Sequence, residues 1–469
     1  MSGFVGFLAL AGFFVWYQML PPNPSVVPYE GGVLSNVTLI EPGITRIRNQ
    51  TLLVEDGEIV EIRDATESEL LVPERFVLPG LIDMHVHQPL ALGGLPDYFS
   101  LLFLRHGVTS VRYTGHSNTG DEVERQRTRI EARELPGPRI FSCGPIIDGD
   151  PPFWPSSIVL TDPTRVNGAV AKLANSGVDC IKVYSNLATN VLAAVVEAAA
   201  EYNLRVVGHV PDGVPLEESG IDDIQHLIGI PEIASSLSLG NPMVDGWRDL
   251  SQDRVDQVVE HSIINDVVHT PTLVFLWTNS IRDRHNELID QTSSQLLPRL
   301  FRDVAWKPQA AIRLGGTRTP EMQAALRASY HEALDVVGQL HRRGVVIQAG
   351  TDTANPFVIQ GAALVQEVSL LVEAGLTNEE ALAAATNVPA RYLDVPLLGR
   401  LVEGAPADLL VLNADPVSNL DALDDIHAVV ASGHFYSIEF LNSQIDRYQR
   451  HHKSITWDTI LPMVARLLR

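Results

Sequence analysis

Two histidines stand one residue apart at the end of an apolar run, shortly after a Pro-Gly turn. They are His85 and His87, in the stretch LPGLIDMHVHQPL at 78–90. Side chains two residues apart on a strand point to the same face, so both imidazoles reach the same side. A buried strand gains nothing by packing two imidazoles together, whereas imidazole nitrogens are common metal ligands. The pair therefore indicates a metal site.

Four later apolar runs also end in residues with nitrogen or oxygen side chains. These residues are Lys182 in IKVYSN, His209 in VVGHVPDG, His226 in DIQHLIG and Asp352 in VIQAGTDTANP. Each alone has a simpler explanation, because a single strand-end histidine is usually a hydrogen-bonded core residue, a lysine can extend to solvent and an aspartate can cap a helix. Together with the histidine pair they favour one shared metal site. Tyr184, two residues after the lysine, points the same way and could contact a substrate or pack at the rim.

All these residues lie in a middle segment in which short apolar runs alternate with helical stretches. Strands are predicted near 81–87, 108–114, 138–143, 178–184, 205–209, 223–227, 267–273 and 345–351. Eight strand–helix units in about 300 residues fit an α/β fold, the (β/α)8 TIM barrel, whose active sites lie at the C-terminal ends of the strands. A capping box of Thr377 and Glu380 predicts the start of one helix.

Two β-rich segments flank this middle part and are predicted to pair into one small β-sandwich domain. The predicted organisation is a hydrophobic segment at 1–22, the first part of the β domain at 31–73, the barrel at 74–395, the second β part at 396–440 and a helical tail at 441–469. The sequence does not indicate a role for the tail.

The N-terminal stretch Phe4–Leu20 has no charged side chain and approaches the length that spans a bilayer core as a helix. Trp16 and Tyr17 suit the membrane interface. No Lys or Arg precedes Arg46, so the basic start of a signal peptide is missing and the charges give no orientation. We predict a hydrophobic helix that anchors the protein to a membrane, with an extracytoplasmic catalytic domain. A cleaved signal peptide, which would give a secreted or periplasmic protein, and a buried core helix are the alternatives.

Charge and cysteine content narrow the range of partners. The 469 residues include 34 Lys and Arg against 57 Asp and Glu, a net charge of −23. Such a surface repels phosphate backbones, so we expect no nucleic-acid partner. Cys143 and Cys180 allow at most one disulfide and are predicted to be buried thiols. A homo-oligomer is left open.

Eight stretches, in order along residues 31–440, resemble the amidohydrolase superfamily. They are VLPGLIDMHVH, GVTSVR, IKVYSN, GHVPDG, QHLIG, AGTDT, LTNEEALAAATNVPARYL and GRLVEGAPADLLVLNADP. The nearest branch is that of imidazolonepropionase-like hydrolases and Xaa-Pro dipeptidases. The sequence departs from the family pattern at Tyr113, where an acidic residue is frequent, and at Val365, where many members have histidine.

The resemblance implies a site with two divalent metal ions, usually zinc, with Mn²⁺, Fe²⁺ and Co²⁺ as alternatives. In this sequence His85, His87 and Asp352 would hold one ion, and His209 and His226 the other. Lys182, carboxylated by CO₂, would bridge them. This assignment of the six residues to the two ions follows only from the resemblance.

The implied reaction is the hydrolysis of a C–N amide bond in a small dipeptide-like or N-acyl amino acid substrate. A hydroxide that bridges both metals would attack the carbonyl, and Asp352 would carry the proton to the leaving amine. One alternative is a mononuclear deaminase or an imidazolonepropionase-type ring-opening hydrolase, which does not need the bridging lysine. Another is a catalytically inactive, membrane-tethered binding protein.

Overall fold

The computed structural model describes residues 12–20, 22, 31–88, 94–115, 122–231, 246–306 and 319–463, which form a mixed α/β fold. The strands in this part are β1 (Gly32–Glu41), β2 (Thr45–Glu55), β3 (Glu58–Asp64), β4 (Arg75–Pro79), β5 (Leu81–Val86), β6 (Val108–Tyr113), β7 (Arg139–Ser142), β8 (Ile147–Asp148), β9 (Ile158–Val159), β10 (Cys180–Val183), β11 (Arg205–Gly208), β12 (Asp223–Gln225), β13 (Val268–Thr270), β14 (Leu409–Leu412), β15 (Ile426–Ala431) and β16 (His434–Ser437).

The α-helices alternate with the strands of the middle segment and continue to the C-terminus. Beyond the helical residues 12–19, they are Leu95–Arg105, Glu122–Glu131, Val166–Asn175, Thr189–Glu201, Gln252–Ile264, Leu273–Ser280, His285–Asp290, Pro320–Arg342, Ala362–Glu373, Asn378–Ala384, Asn387–Tyr392 and Ile438–His452.

Two parallel sheets form the middle segment. One has the order β5-β6-β7, and the other the order β13-β12-β11-β10-β8-β9. Every residue of β5 and β6 is buried, as expected for parallel strands covered on both faces. The helix Thr189–Glu201 buries Val191, Leu192 and Val195 with Ala198 and Ala199, which is the spacing of one apolar helix face. Burial of such faces against the sheets forms the core.

The predicted eighth strand, 345–351, does not form a regular strand. It makes isolated parallel bridges, with Ile347 opposite His269 of β13 and Thr353 opposite Val86 of β5. On the other side, the N–H of Asp179 donates to the carbonyl of Ser142 over 2.7 Å and links the end of β7 to the start of β10. Hydrogen bonds therefore connect the two parallel sheets at two places, through the segment at 345–353 and between the end of β7 and the start of β10.

Strands from both flanking segments pair in one seven-stranded sheet of order β16-β15-β14-β4-β1-β2-β3. The strand β4 joins the two flanking segments, because it lies parallel to β1 and antiparallel to β14. The sequence predicted that both flanking segments pair into one β-sandwich; the structure pairs them in one continuous sheet, and the sandwich packing stays a prediction. The bounds predicted for the domains stay predictions.

The predicted helix start at Thr377 is confirmed, with the complete capping box to Glu380. The stretch that follows forms two helices rather than one. The first helix ends at Ala384, and the second begins at Asn387. Pro389 explains the break, since it has no N–H to donate to the preceding turn and its ring would clash there.

The N-terminal prediction falls largely outside the described residues, which include only 12–20 and 22 of this segment. Phe13, Phe14, Trp16 and Tyr17 expose about half of their surface or more. None of the helices in the described part has the length and apolar character to cross a bilayer. The membrane anchor is thus not confirmed and stays a prediction.

The two cysteines form a disulfide, so the prediction of free thiols was wrong. Cys143 directly follows β7 and Cys180 begins β10, and their Cα atoms are 4.2 Å apart. Both side chains are buried, as predicted. The link between β7 and β10 brings the thiols together, although 37 positions separate them in the sequence.

Candidate metal centre

Three of the predicted ligands meet where β5 ends. The Nε2 atoms of His85 and His87 lie 3.3 Å apart, and the Oδ1 atom of Asp352 lies 3.5 Å and 2.9 Å from them, respectively. One ligand atom from each residue lies within 4.8 Å of the others, a spacing that can hold a metal ion. The strand alternation predicted from the HxH pattern therefore brings both imidazoles to one point.

The other two predicted histidines border this group. The ring of His226 lies 4.5 Å from that of His85, and its Nδ1 is 3.9 Å from Oδ2 of Asp352. The ring of His209 lies 5.1 Å from that of His226. The histidines at the ends of β11 and β12 thus extend the cluster around Asp352.

Lys182 lies on β10 and is fully buried. Its Nζ donates a hydrogen bond to Oε1 of Gln225 on β12 and lies 5.5 Å from the centre of the Tyr184 ring. Tyr184 is half-buried and stacks on His209 at 3.9 Å between ring centroids. All six predicted ligands and Tyr184 therefore belong to one connected cluster.

Three of the imidazoles hydrogen-bond through their Nδ1 atoms, and in His87 this leaves Nε2 facing Asp352. The partners are the carbonyl of Gly115 for His87 at 3.4 Å, the hydroxyl of Ser185 for His209 at 3.0 Å and the hydroxyl of Thr272 for His226 at 2.7 Å. Such contacts on the far nitrogen fix the tautomer and the ring orientation of metal-binding histidines.

Burial controls the ionisation of these groups. It lowers the pKa of His85 and His209 well below the usual histidine value, and that of His226 to about 4. Burial also lowers the pKa of Lys182 to about 7. For Asp352, burial alone would raise the pKa, but the facing histidines and Lys182 outweigh it and the pKa is lowered. Neutral imidazoles beside a carboxylate are the forms that bind metal ions.

A buried polar network lies beneath the cluster, and the sequence did not reveal it. Gln225, which accepts from Lys182, donates to Oδ2 of Asp223 over 3.5 Å, and Asp223 pairs with Arg112. Near β5, Asp83 accepts hydrogen bonds from the backbone N–H and the hydroxyl of Thr351 at 3.0 and 2.7 Å. These residues hold the strands that carry the ligands. Their only sequence signal is a charged or amide residue inside an otherwise apolar strand.

Glu367 supports His226 from a distance. This fully buried carboxyl group accepts hydrogen bonds from the backbone N–H groups of Leu273 and Val274, at 2.9 and 2.6 Å, at the start of the helix Leu273–Ser280. The residue before that helix is Thr272, whose hydroxyl holds His226. Glu367 is thus a helix cap behind the site.

The sequence model of the amidohydrolase family matches residues 76–238 and 306–443. These two ranges contain all six predicted ligands. A search of curated protein sequences finds no match.

Solved structures share the fold over most of the chain. A bottromycin amidohydrolase has a TM-score of 0.74 at 23% identity, with 90% of each chain covered. A protein from Bifidobacterium longum described as a prolidase has a TM-score of 0.65 at 25% identity, over 90% of this chain and all of the other. An Xaa-Pro dipeptidase with bound methionine has a TM-score of 0.62 at 21% identity, over 87% of this chain and all of the other.

Proposed function

This chain belongs to the amidohydrolase family and is therefore a hydrolytic enzyme that acts on carbon–nitrogen bonds, and we propose that its substrate is a dipeptide-like or N-acyl amino acid amide. The observation that carries the proposal is that six residues with nitrogen or oxygen side chains, all able to bind a metal ion, converge at the ends of parallel strands. The similar solved structures include proteins described as a prolidase and a dipeptidase, which supports this class of substrate.

The proposed scaffold is a single closed (β/α)8 barrel. The links between the two parallel sheets support it, since the segment at 345–353 pairs with β13 on one side and β5 on the other. In such a barrel the side chains that follow the strands gather at one mouth, which is where the six residues lie.

The proposed cofactor is a pair of divalent ions, most simply zinc. His85, His87 and Asp352 would hold one ion, and His209 and His226 the other. These residues fit a metal site, because the buried Nε2 of His209 has no hydrogen-bond partner among the described residues and is therefore available as a ligand. When bound, the ions would supply an acidified water as nucleophile and polarise the scissile carbonyl.

Lys182 is proposed to bridge the two ions as a carbamate. Its buried amine, with a pKa near 7, is far easier to obtain in the neutral form than that of an exposed lysine. The neutral Nζ would form a bond to the carbon of CO₂ and lose one proton, giving an anion with two oxygen ligands. An ammonium group could not ligate a metal.

Asp352 is proposed to move the proton. Its lowered pKa keeps the carboxylate ionised, and Oδ1 and Oδ2 face different histidines of the cluster. The carboxylate would accept the proton of the attacking water and donate it to the leaving amine, which must be protonated to depart.

A mononuclear deaminase or ring-opening hydrolase is the second candidate. In the described part of the chain, His85, His87 and Asp352 are the one group of three such residues whose ligand atoms all lie within 4.8 Å of one another, and a single ion could use this set. The number of metal ions per chain separates the two candidates. A catalytically inactive binding protein is no longer favoured, because the family membership makes the chain a hydrolase.

The test is a panel of dipeptides, N-acyl amino acids and lactams, assayed with the purified, metal-analysed protein with and without chelator. We expect two ions per chain, turnover of a dipeptide or N-acyl amino acid, loss of turnover with chelator and recovery with Zn²⁺. The absence of chelator-sensitive turnover on every amide would overturn the proposal. One ion per chain with lactam turnover would support the second candidate.

The disulfide supports a proposal on location. Disulfides form and persist mainly outside the reducing cytosol, so an extracytoplasmic catalytic domain is proposed, held at a membrane by the N-terminal segment.

A further inference from the structure

Three aromatic side chains lie beside the candidate ligands on one side of the site. Tyr184 follows β10, and Phe153 and Trp154 lie in the loop between β8 and β9. The ring of Phe153 is 5.4 Å from Tyr184 and 5.2 Å from Trp154. Since Tyr184 itself stacks on His209, these rings form an aromatic wall that begins at a predicted metal ligand and runs outward.

Hydrogen bonds hold this wall in place. The buried Asp148 accepts from the backbone N–H of Phe153 through Oδ2 at 2.8 Å, and from that of Asn186 through Oδ1 at 2.9 Å. One carboxylate therefore ties the loop of Phe153 to the loop of Tyr184. A wall fixed in this way needs little reordering when a ligand binds.

The wall is only partly covered by the protein. Phe153 leaves 37% of its surface exposed, and Tyr184 and Trp154 are half-buried. If the Phe153 ring served only to stabilise the fold, complete burial of so large an apolar ring would contribute more. An exposed aromatic face beside a polar centre offers contact to an apolar group that the centre holds in place.

On the premise of the proposed function, we propose that Phe153 and Tyr184 form one wall of the substrate site and select an aromatic side chain next to the scissile amide. The ring of the substrate would lie against Phe153 while the amide lies at the ligand cluster. The favoured class is thus a dipeptide or N-acyl amino acid that contains an aromatic residue.

The test compares kcat/KM for Phe-Ala, Ala-Phe and Ala-Ala in the wild type, Phe153→Ala and Phe153→Leu. Because Phe153→Ala removes one aromatic contact, we expect it to lower the ratio of kcat/KM for the better aromatic dipeptide to kcat/KM for Ala-Ala by about three- to tenfold. Phe153→Leu should lower this ratio by an intermediate factor. Tyr202→Ala is the matched control, because Tyr202 is an exposed aromatic residue at the far end of the helix Thr189–Glu201 and should leave the ratio unchanged. Metal content and thermal unfolding of each variant check that the fold is retained.

The outcomes separate this inference from the function on which it rests. If the wild type hydrolyses these dipeptides but the ratio does not respond to Phe153→Ala in a folded, metal-loaded variant, the aromatic wall does not select the substrate. If the wild type prefers Ala-Ala, the inference fails in the same way. If the wild type hydrolyses no amide at all, the proposed function fails, and the inference fails with it.

Discussion

The alternation of side chains along a strand is enough to bring His85 and His87 to one point, but their chemistry depends on what holds the rings. Their Nε2 atoms meet Asp352 because the segment at 345–353 runs beside β5. Gly350 makes that approach possible, since a Cβ atom there would lie 2.9 Å from the Cβ of His85. The small size of Gly350 is therefore as necessary for the site as the ligands themselves.

Lys182→Ala tests the bridging role. We expect it to lose metal and to lower kcat by more than about 100-fold, because even residues that only support ligands are worth 10–100-fold. Small carboxylic acids should restore part of the activity by replacing the carbamate. Metal analysis and turnover give the measurement, with Lys172→Ala on an exposed helix position as the control. A fully active Lys182→Ala would end the bridging proposal.

Asp352→Asn tests the proton transfer. The amide retains the shape but cannot accept a proton, so kcat should fall about 10²–10⁴-fold while KM changes little. Steady-state kinetics at matched metal content measure this, with the exposed Asp253→Asn as the control. Unaltered turnover in Asp352→Asn would assign the proton to another group.

Secondary-structure elements position the site through their ends. The helix Leu273–Ser280 begins directly after Thr272, which holds His226, and Glu367 from the helix Ala362–Glu373 binds the N–H groups of its first turn. One helix thus fixes the start of a second helix, and that start fixes a ligand. Burial raises the pKa of Glu367 to about 8, so the protonated form is favoured in the folded protein.

Glu367→Gln tests this arrangement through pH. Unfolded Glu367 ionises near pH 4.5, whereas the folded residue holds its proton up to about pH 8, so wild-type stability is lost as the pH rises between these values. The free energy of unfolding of the wild type should therefore fall relative to Glu367→Gln by on the order of 2–3 kcal/mol between pH 5 and pH 7.5. Urea unfolding of both proteins, with the exposed Glu373→Gln as control, measures the difference. A constant difference across this range would show that Glu367 is ionised when folded.

Over the whole molecule, the two flanking segments meet in one sheet, and the two parallel sheets are linked at two places. The disulfide lies at one of these links, between the residue after β7 and the first residue of β10. Lys182 is two residues further along β10. The crosslink therefore connects the scaffold close to the site.

Removal of the disulfide tests its contribution. The double variant Cys143→Ser, Cys180→Ser should lose about 3–4 kcal/mol of unfolding free energy, as expected for closure of a loop of this length. Urea unfolding with and without reductant measures this, and the variant should not respond to reductant. A wild type whose stability is equal to that of the double variant would indicate that the bond contributes nothing.

Deletion of residues 1–22 tests the predicted anchor. The full-length chain should sediment with membranes and the truncated chain should stay in solution, with the same kcat per metal-loaded site. Gln18→Ala is the matched control, because it removes only the hydrogen bonds that Gln18 accepts from Thr456 and should stay with the membrane. A soluble full-length chain would contradict the anchor.

The sequence by itself determined the local features. The HxH pair, the ligand types at five strand ends, seven strands of the middle segment and the capping box at Thr377 depend on neighbours within a few residues, and periodicity reports those directly. The order of these motifs was also enough to identify the family.

Only the tertiary structure decided which distant groups meet. The pairing of Cys143 with Cys180, the cap that Glu367 provides, the network under Lys182 and the aromatic wall of Phe153 all join residues far apart in the chain. Their contacts depend on which strands and loops become neighbours, and a one-dimensional pattern does not contain those distances.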